Sequence, residues 1–261
     1  MGHKIIALPV NKEAHPMSTT LKTAVYKKIL GSFALLATAI SFASYANAQY
    51  KPADFGDAVD QLASKVTLPA NFGEGKLTIA VYCQSDVPVS GSLSNSVCFE
   101  TAGHALEQQT LDALEGMTFT PAEDSGQAVP VRMQFRVIYS RSGEQPDIVL
   151  LPNLGTLQTQ HGYSYFAPQE RLDQTAWFEK YSTSDDAKGK VFFEKGRLTR
   201  VIATVNTDGS VASVSTLDAR GSGKRDAATI EKALQTSAFI PGFVDNKPLE
   251  MHYVAVINYT K

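Results

Sequence analysis

Side chains able to do chemistry are few and widely spaced in this chain. Beyond residue 48 the only histidines are His104, His161 and His252, scattered singly. A hydrolytic triad needs Ser or Cys brought together with His and a carboxylate, and no motif here marks such a nucleophile. His104 opens an expected helix and His252 stands beside Met251 on an expected strand, both structural settings. The run Gly221-Ser222-Gly223-Lys224 approaches a phosphate loop, but that pattern needs Gly at Asp218 and Ser or Thr at Arg225. It therefore reads as a solvated turn. Asp185-Asp186 lacks the spacing of a calcium loop. The expectation is a chain with no catalytic residue, no metal site and no cofactor, and with no small-molecule substrate.

The N-terminus sets the compartment. Ile29 to Ala48 is an apolar run, preceded by Lys22, Lys27 and Lys28 and closed by Ala46-Asn47-Ala48 ahead of Gln49. Positive flank, short apolar core and small-x-small exit describe a cleavable secretory signal over residues 1–48. The alternative is an inner-membrane anchor formed by residues 29–48, since the run approaches a bilayer-spanning length. Ser32, Thr38, Ser41, Ser44 and Tyr45 dilute it, which favours cleavage and a periplasmic protein. Loss of residues 1–48 removes five lysines and one glutamate and takes the formal charge from −2 to −6. An acidic body of this kind offers no basic stripe for nucleic acid. In an exported chain, two cysteines outside any Cys-x-x-Cys motif, Cys83 and Cys98, predict a disulfide. A redox or metal-binding pair is the rival reading.

Self-similarity supplies the elements. Ala113-Leu114 followed by Phe119-Thr120-Pro121 recurs as Ala233-Leu234 followed by Phe239-Ile240-Pro241, an offset of 120. Val129-Pro130-Val131 matches Lys247-Pro248-Leu249 at an offset of 118. Each proline precedes a strict alternation: Val131, Met133, Phe135, Val137 and Tyr139, then Leu249, Met251, Tyr253, Ala255, Ile257 and Tyr259. Period two over that length means a half-buried strand. Upstream, Leu77, Ile79, Val81 and Cys83 alternate, as do Val201, Ala203 and Val205. Asn206-Thr207-Asp208-Gly209 is hairpin-turn chemistry. In the first copy the turn is enlarged, with Cys83 and Cys98 expected near its two ends as a clamp. Leu106, Thr110, Ala113, Leu114 and Met117 share a helical stripe, with Gly116 as terminator, and so do Ala227, Ile230, Ala233 and Leu234.

The expected fold is α+β: two tandem ββαβ units, each a small antiparallel sheet covered by one helix. The boundaries are a helix and loop over 49–75, a first unit over 76–139, a connecting segment over 140–196 and a second unit over 197–261. Phe55, Val59, Leu62 and Val66 fit the first helix. The connector predicts a strand at Ile148 to Leu151, an Ω-like loop around Gly155 to Pro168, a short helix at Trp177 and a strand at Val191 to Phe193.

The second copy resembles the C-terminal domain of TonB-type energy transducers. The resemblance rests on Val205-Asn206-Thr207-Asp208-Gly209-Ser210-Val211, Asp226-Ala227-Ala228, Ala233-Leu234, Phe239-Ile240-Pro241 and Asn246-Lys247-Pro248-Leu249. The first copy resembles it more weakly, through Ala113-Leu114, Phe119-Thr120-Pro121-Ala122, Gly126-Gln127 and Val129-Pro130-Val131. The resemblance implies a periplasmic module that adds a peptide segment of an envelope or outer-membrane protein to its sheet edge. The candidate edge is the last strand, with Met251, Tyr253, Ala255, Ile257 and Tyr259; the competing reading makes these side chains ordinary core. A transducer's membrane-embedded histidine and proline-rich spacer are both missing, so coupling to a proton-driven motor is not expected. The alternative function is structural: two copies that pair with each other or dimerise, without a peptide ligand. An enzyme whose site lies between Ser140 and Gly196 is a third reading.

Overall fold

A computed structural model of the protein describes residues 49–68, 78–100, 106–142, 145–174, 198–219 and 223–258. Among them, four helices alternate with strands in several small antiparallel sheets, a mixed α+β architecture. Tyr50–Lys51 (β1) and Ala58–Lys65 (α1) lead into Ile79–Val87 (β2), Ser94–Glu100 (β3) and Leu106–Leu114 (α2). A short hairpin of Ala122–Asp124 (β4) and Gln127–Val129 (β5) precedes Val131–Ser142 (β6). The connector supplies Gln145–Leu151 (β7), Gln158–His161 (α3) and Gln169–Arg171 (β8). The remaining elements are Leu198–Val205 (β9), Val211–Ala219 (β10), Gly223–Gln235 (α4), Phe239–Ile240 (β11), Gly242–Val244 (β12), Lys247–Leu249 (β13) and Met251–Asn258 (β14).

Alternation dictates which way β6 faces. Val131, Met133, Phe135, Val137 and Tyr139 are all fully buried, as the period-two pattern predicts. Ile79, Val81 and Cys83 of β2 and Leu106, Ala113 and Leu114 of α2 join them in one core. Phe55, Phe119 and Phe135 stack edge-to-face at 5.2, 5.5 and 5.8 Å, which ties the segment before α1 to the sheet. Each such side chain contributes about 1.5–3 kcal/mol on burial. Deep in this core the Tyr139 hydroxyl pairs with Thr110 Oγ1 at 2.8 Å. Desolvation pushes that phenol up to about 12, against a smaller lowering by the Thr110 bond.

A second core lies between α4 and the three-stranded sheet β10-β9-β14. Val201 and Val205 of β9, Tyr253 and Ala255 of β14, and Ile230, Ala233 and Leu234 of α4 fill it, closed by Phe239. The expected helical stripe is thus the buried face of α4.

The surroundings of Phe119 and Phe239 correspond. Each donates its N–H to the carbonyl of a turn glycine, Phe119 to Gly91 at 2.9 Å and Phe239 to Gly209 at 3.0 Å. Both glycines have positive φ, and a Cβ on either would collide with the carbonyl of that phenylalanine. In the first sheet β3, β2 and β6 lie in the order that β10, β9 and β14 take in the second.

Three expectations need correction. Leu249 lies opposite Gly242 as Val129 lies opposite Ala122, so the offset of 120 persists and Leu249, not Lys247, corresponds to Val129. Aligning the prolines misplaced the register by two because both hairpins turn through a two-residue, positive-φ tip: Ser125-Gly126 in one and Asp245-Asn246 in the other. The disulfide does not clamp the first turn. Cys83 and Cys98 face each other within the β2–β3 ladder, and the strands run on to Val87 and Ser94 before turning. The first sheet is also wider than three strands: β7 and β8 both pair with β6, and β8 pairs with β11. The expected helix at Trp177, the strand at Val191 to Phe193 and the whole of residues 1–48 lie outside the described residues.

Candidate functional site

Met251, Tyr253 and Ala255 of β14 are 2–3 % exposed and point into the second core. Nothing of the Ile257 side chain or of Tyr259 is described. Strand addition depends on backbone groups, so the direction of those groups decides what β14 offers. The Asn206 N–H donates to the Ser210 carbonyl, which turns even-numbered residues of β9 toward β10 and odd-numbered ones toward β14. Met251, Tyr253 and Ala255 are registered with Val205, Ala203 and Val201. Their backbone groups are therefore committed to β9, while His252 and Val254 turn theirs outward.

That outward edge carries no ladder among the described residues, but it is not wholly open. Gln134 Nε2 donates to the Val254 carbonyl at 3.0 Å, and also to Gln84 Oε1 at 3.3 Å. His252 is exposed. On the first sheet, the outer edge of β6 is taken: β8 pairs with Val131 and Arg132, and β7 pairs from Arg136 to Ser142.

Sequence reading missed the polar layer behind β6. Even-numbered β6 positions look solvent-facing in a strand whose odd positions are apolar, yet Arg132, Gln134 and Arg136 are all buried. Arg132 Nε donates to Asp86 Oδ1 at 2.9 Å, and its Nη1 lies 3.6 Å from Glu170 Oε2. Asn95 completes Asp86, and Ser237 donates to Glu170 at 3.1 Å. The Tyr253 hydroxyl, raised first by burial and then by Glu170, stays neutral beside this layer. Gln169 makes a reciprocal pair with the Ala53 backbone, at 2.8 and 3.0 Å. Only the run of three polar side chains in β8, Gln169-Glu170-Arg171, signals this layer in the sequence, and without a partner it looks like a loop.

Comparison with family models, with curated proteins and with solved structures gives no match.

The other sequence-derived residues stay apart. Cys83 and Cys98 form the expected disulfide, with Cα atoms 4.2 Å apart. His161 sits in α3 with its ring 6.0 Å from that of Tyr165, and His104 lies outside the described residues. Among the described residues no three His, Cys, Asp or Glu side chains gather as a metal site, and no helix is long and apolar enough to cross a membrane. An open groove of about 730 Å³ runs between Gln49–Pro52 and the turns at Ser125-Gly126 and Asn246. Among the described residues its one carboxylate, Glu123, is tied to Lys51 at 3.0 Å.

Proposed function

We propose that this chain is a non-enzymatic periplasmic module of two tandem ββαβ units, similar to the TonB C-terminal domain. It binds an extended peptide segment of an envelope or outer-membrane protein by strand addition at the outer edge of β14. The observation that carries the reading is the contrast between β6 and β14. Connector strands already add to the outer edge of β6, so this sheet accepts an extended segment there. β14 holds the corresponding place in the second sheet and has no strand on its outward side among the described residues. An incoming peptide exchanges the Gln134 side chain for its own N–H at Val254, a like-for-like replacement. Export through a cleaved signal puts the module where such partners lie, and purified mature protein is expected to begin at Gln49.

A second reading has the two units pairing with each other and no peptide ligand. It is favoured by the Gln134 bond to Val254 and by β8, which pairs with β6 and with β11. Capture from envelope extract separates the two, using the mature protein and its His252→Pro variant. Proline at 252 removes an outward N–H and leaves the β9 ladder intact. A specific partner lost in the variant supports strand addition at β14. Unchanged capture, or none, refutes it.

A further inference from the structure

The loop from Pro152 to Pro168, between β7 and β8, is built around a cation. Arg136 of β6 is 8 % exposed. Its Nε donates to the Asn153 carbonyl at 3.1 Å, and its Nη2 donates to Asn153 Oδ1 at 2.9 Å and Gln158 Oε1 at 3.0 Å. Asn153, fully buried, donates in turn to the carbonyls of Tyr163 and Tyr165 and accepts from the Gly155 N–H. Gly155 has φ +82°, and a Cβ there would run into the guanidinium. The loop backbone is therefore moulded onto this side chain.

Every acceptor of Arg136 is neutral. Arg132, Arg171 and Arg200 each face a carboxylate, whereas Arg136 makes no ion pair among the described residues. A guanidinium stays protonated at any physiological pH, and a buried charge without a counter-charge is costly. The loop fixes Nε and Nη2. Among the described residues Nη1 makes no hydrogen bond, and it is not one of the enclosed polar atoms that lack one, so it has access to solvent. We propose that Arg136 Nη1 binds a carboxylate oxygen at the surface of this loop, beside Gly155, as the missing counter-charge. One free nitrogen suits one carboxylate oxygen; a phosphate normally draws on several donors at once. None of its residues, Arg136, Asn153 and Gly155, belongs to β14, and its test reads carboxylate binding separately from strand addition.

The test follows the backbone N–H signals of residues 155 and 157, beside the guanidinium, by NMR in the mature protein, titrated with N-acetylglutamate, sodium phosphate or sodium chloride at matched ionic strength. A saturable shift with N-acetylglutamate, weakened roughly tenfold or more in Arg136→Lys, is the expected result. Should Arg136→Lys not fold, Gly155→Ala, whose Cβ displaces the guanidinium, weakens binding in its place. A stronger response to phosphate overturns the carboxylate assignment. A response no different from that to chloride, or one unchanged in both variants, overturns the site.

Discussion

Replacing Arg132 by methionine tests whether the polar layer behind β6 holds the molecule together. The side chain is 5 % exposed and stands between two carboxylates, 2.9 Å from Asp86 and 3.6 Å from Glu170. Methionine fills a similar volume but takes the guanidinium away from both buried acids. Breaking a buried pair in this way costs about 3–5 kcal/mol, against about 0–1 kcal/mol for an exposed pair such as Lys51 with Glu123. Urea unfolding of the mature protein in oxidising buffer, with Lys51→Met as the exposed control, reads the difference as a shift in midpoint at constant slope. The triple variant Arg132→Met, Asp86→Leu, Glu170→Leu recovers most of the loss, because an apolar replacement of a buried ionic group is often neutral or stabilising. If Arg132→Met costs no more than Lys51→Met, the layer carries no such energy.

Reduction of the Cys83–Cys98 disulfide, which closes a separation of 15 residues, destabilises the fold by about 3 kcal/mol; paired urea curves with and without reductant check it. Tyr139 gives a pH dependence. Its folded pKa of about 12 lies above the unfolded value near 10, so its contribution is complete below pH 10 and is lost as pH climbs toward 12. Alkaline unfolding of Tyr139→Phe, which cannot ionise there, loses that part of the slope. Gly209→Ala destabilises by more than about 1 kcal/mol, through positive φ and collision with the Phe239 carbonyl. Gly116→Ala, with open space around its Cβ, loses only the φ-related part, and thermal melts of the two variants separate these contributions.

The cores were legible because one face of each strand and helix is uniformly apolar. Val131 to Tyr139 and Ala227 to Leu234 obey their periods and are buried as expected, apart from the unlabelled partners they meet. The turn at Asn206 to Gly209 was legible for a different, local reason, a glycine at positive φ. What the pattern hid was everything set by a second surface. Gln134 reads as a solvent-facing residue until β14 is laid against it. Arg136 reads likewise until Asn153 folds over it. Glu170 lies in a strand of three residues, too short for any periodicity. The register of the second hairpin was misjudged because proline is conspicuous but occupies different slots, after β5 in one hairpin and inside β13 in the other.

β8 belongs to the connector, yet it is hydrogen-bonded to both β6 and β11. Cutting the gene between residues 142 and 198 therefore does not yield two independent pieces. A fragment ending before residue 169 leaves the start of β6 with bare amides, and one beginning at residue 197 strips β11 of β8, its one strand partner among the described residues. Fragments of either kind invite precipitation through those raw edges, and the smallest piece worth expressing spans the connector and both flanking sheets.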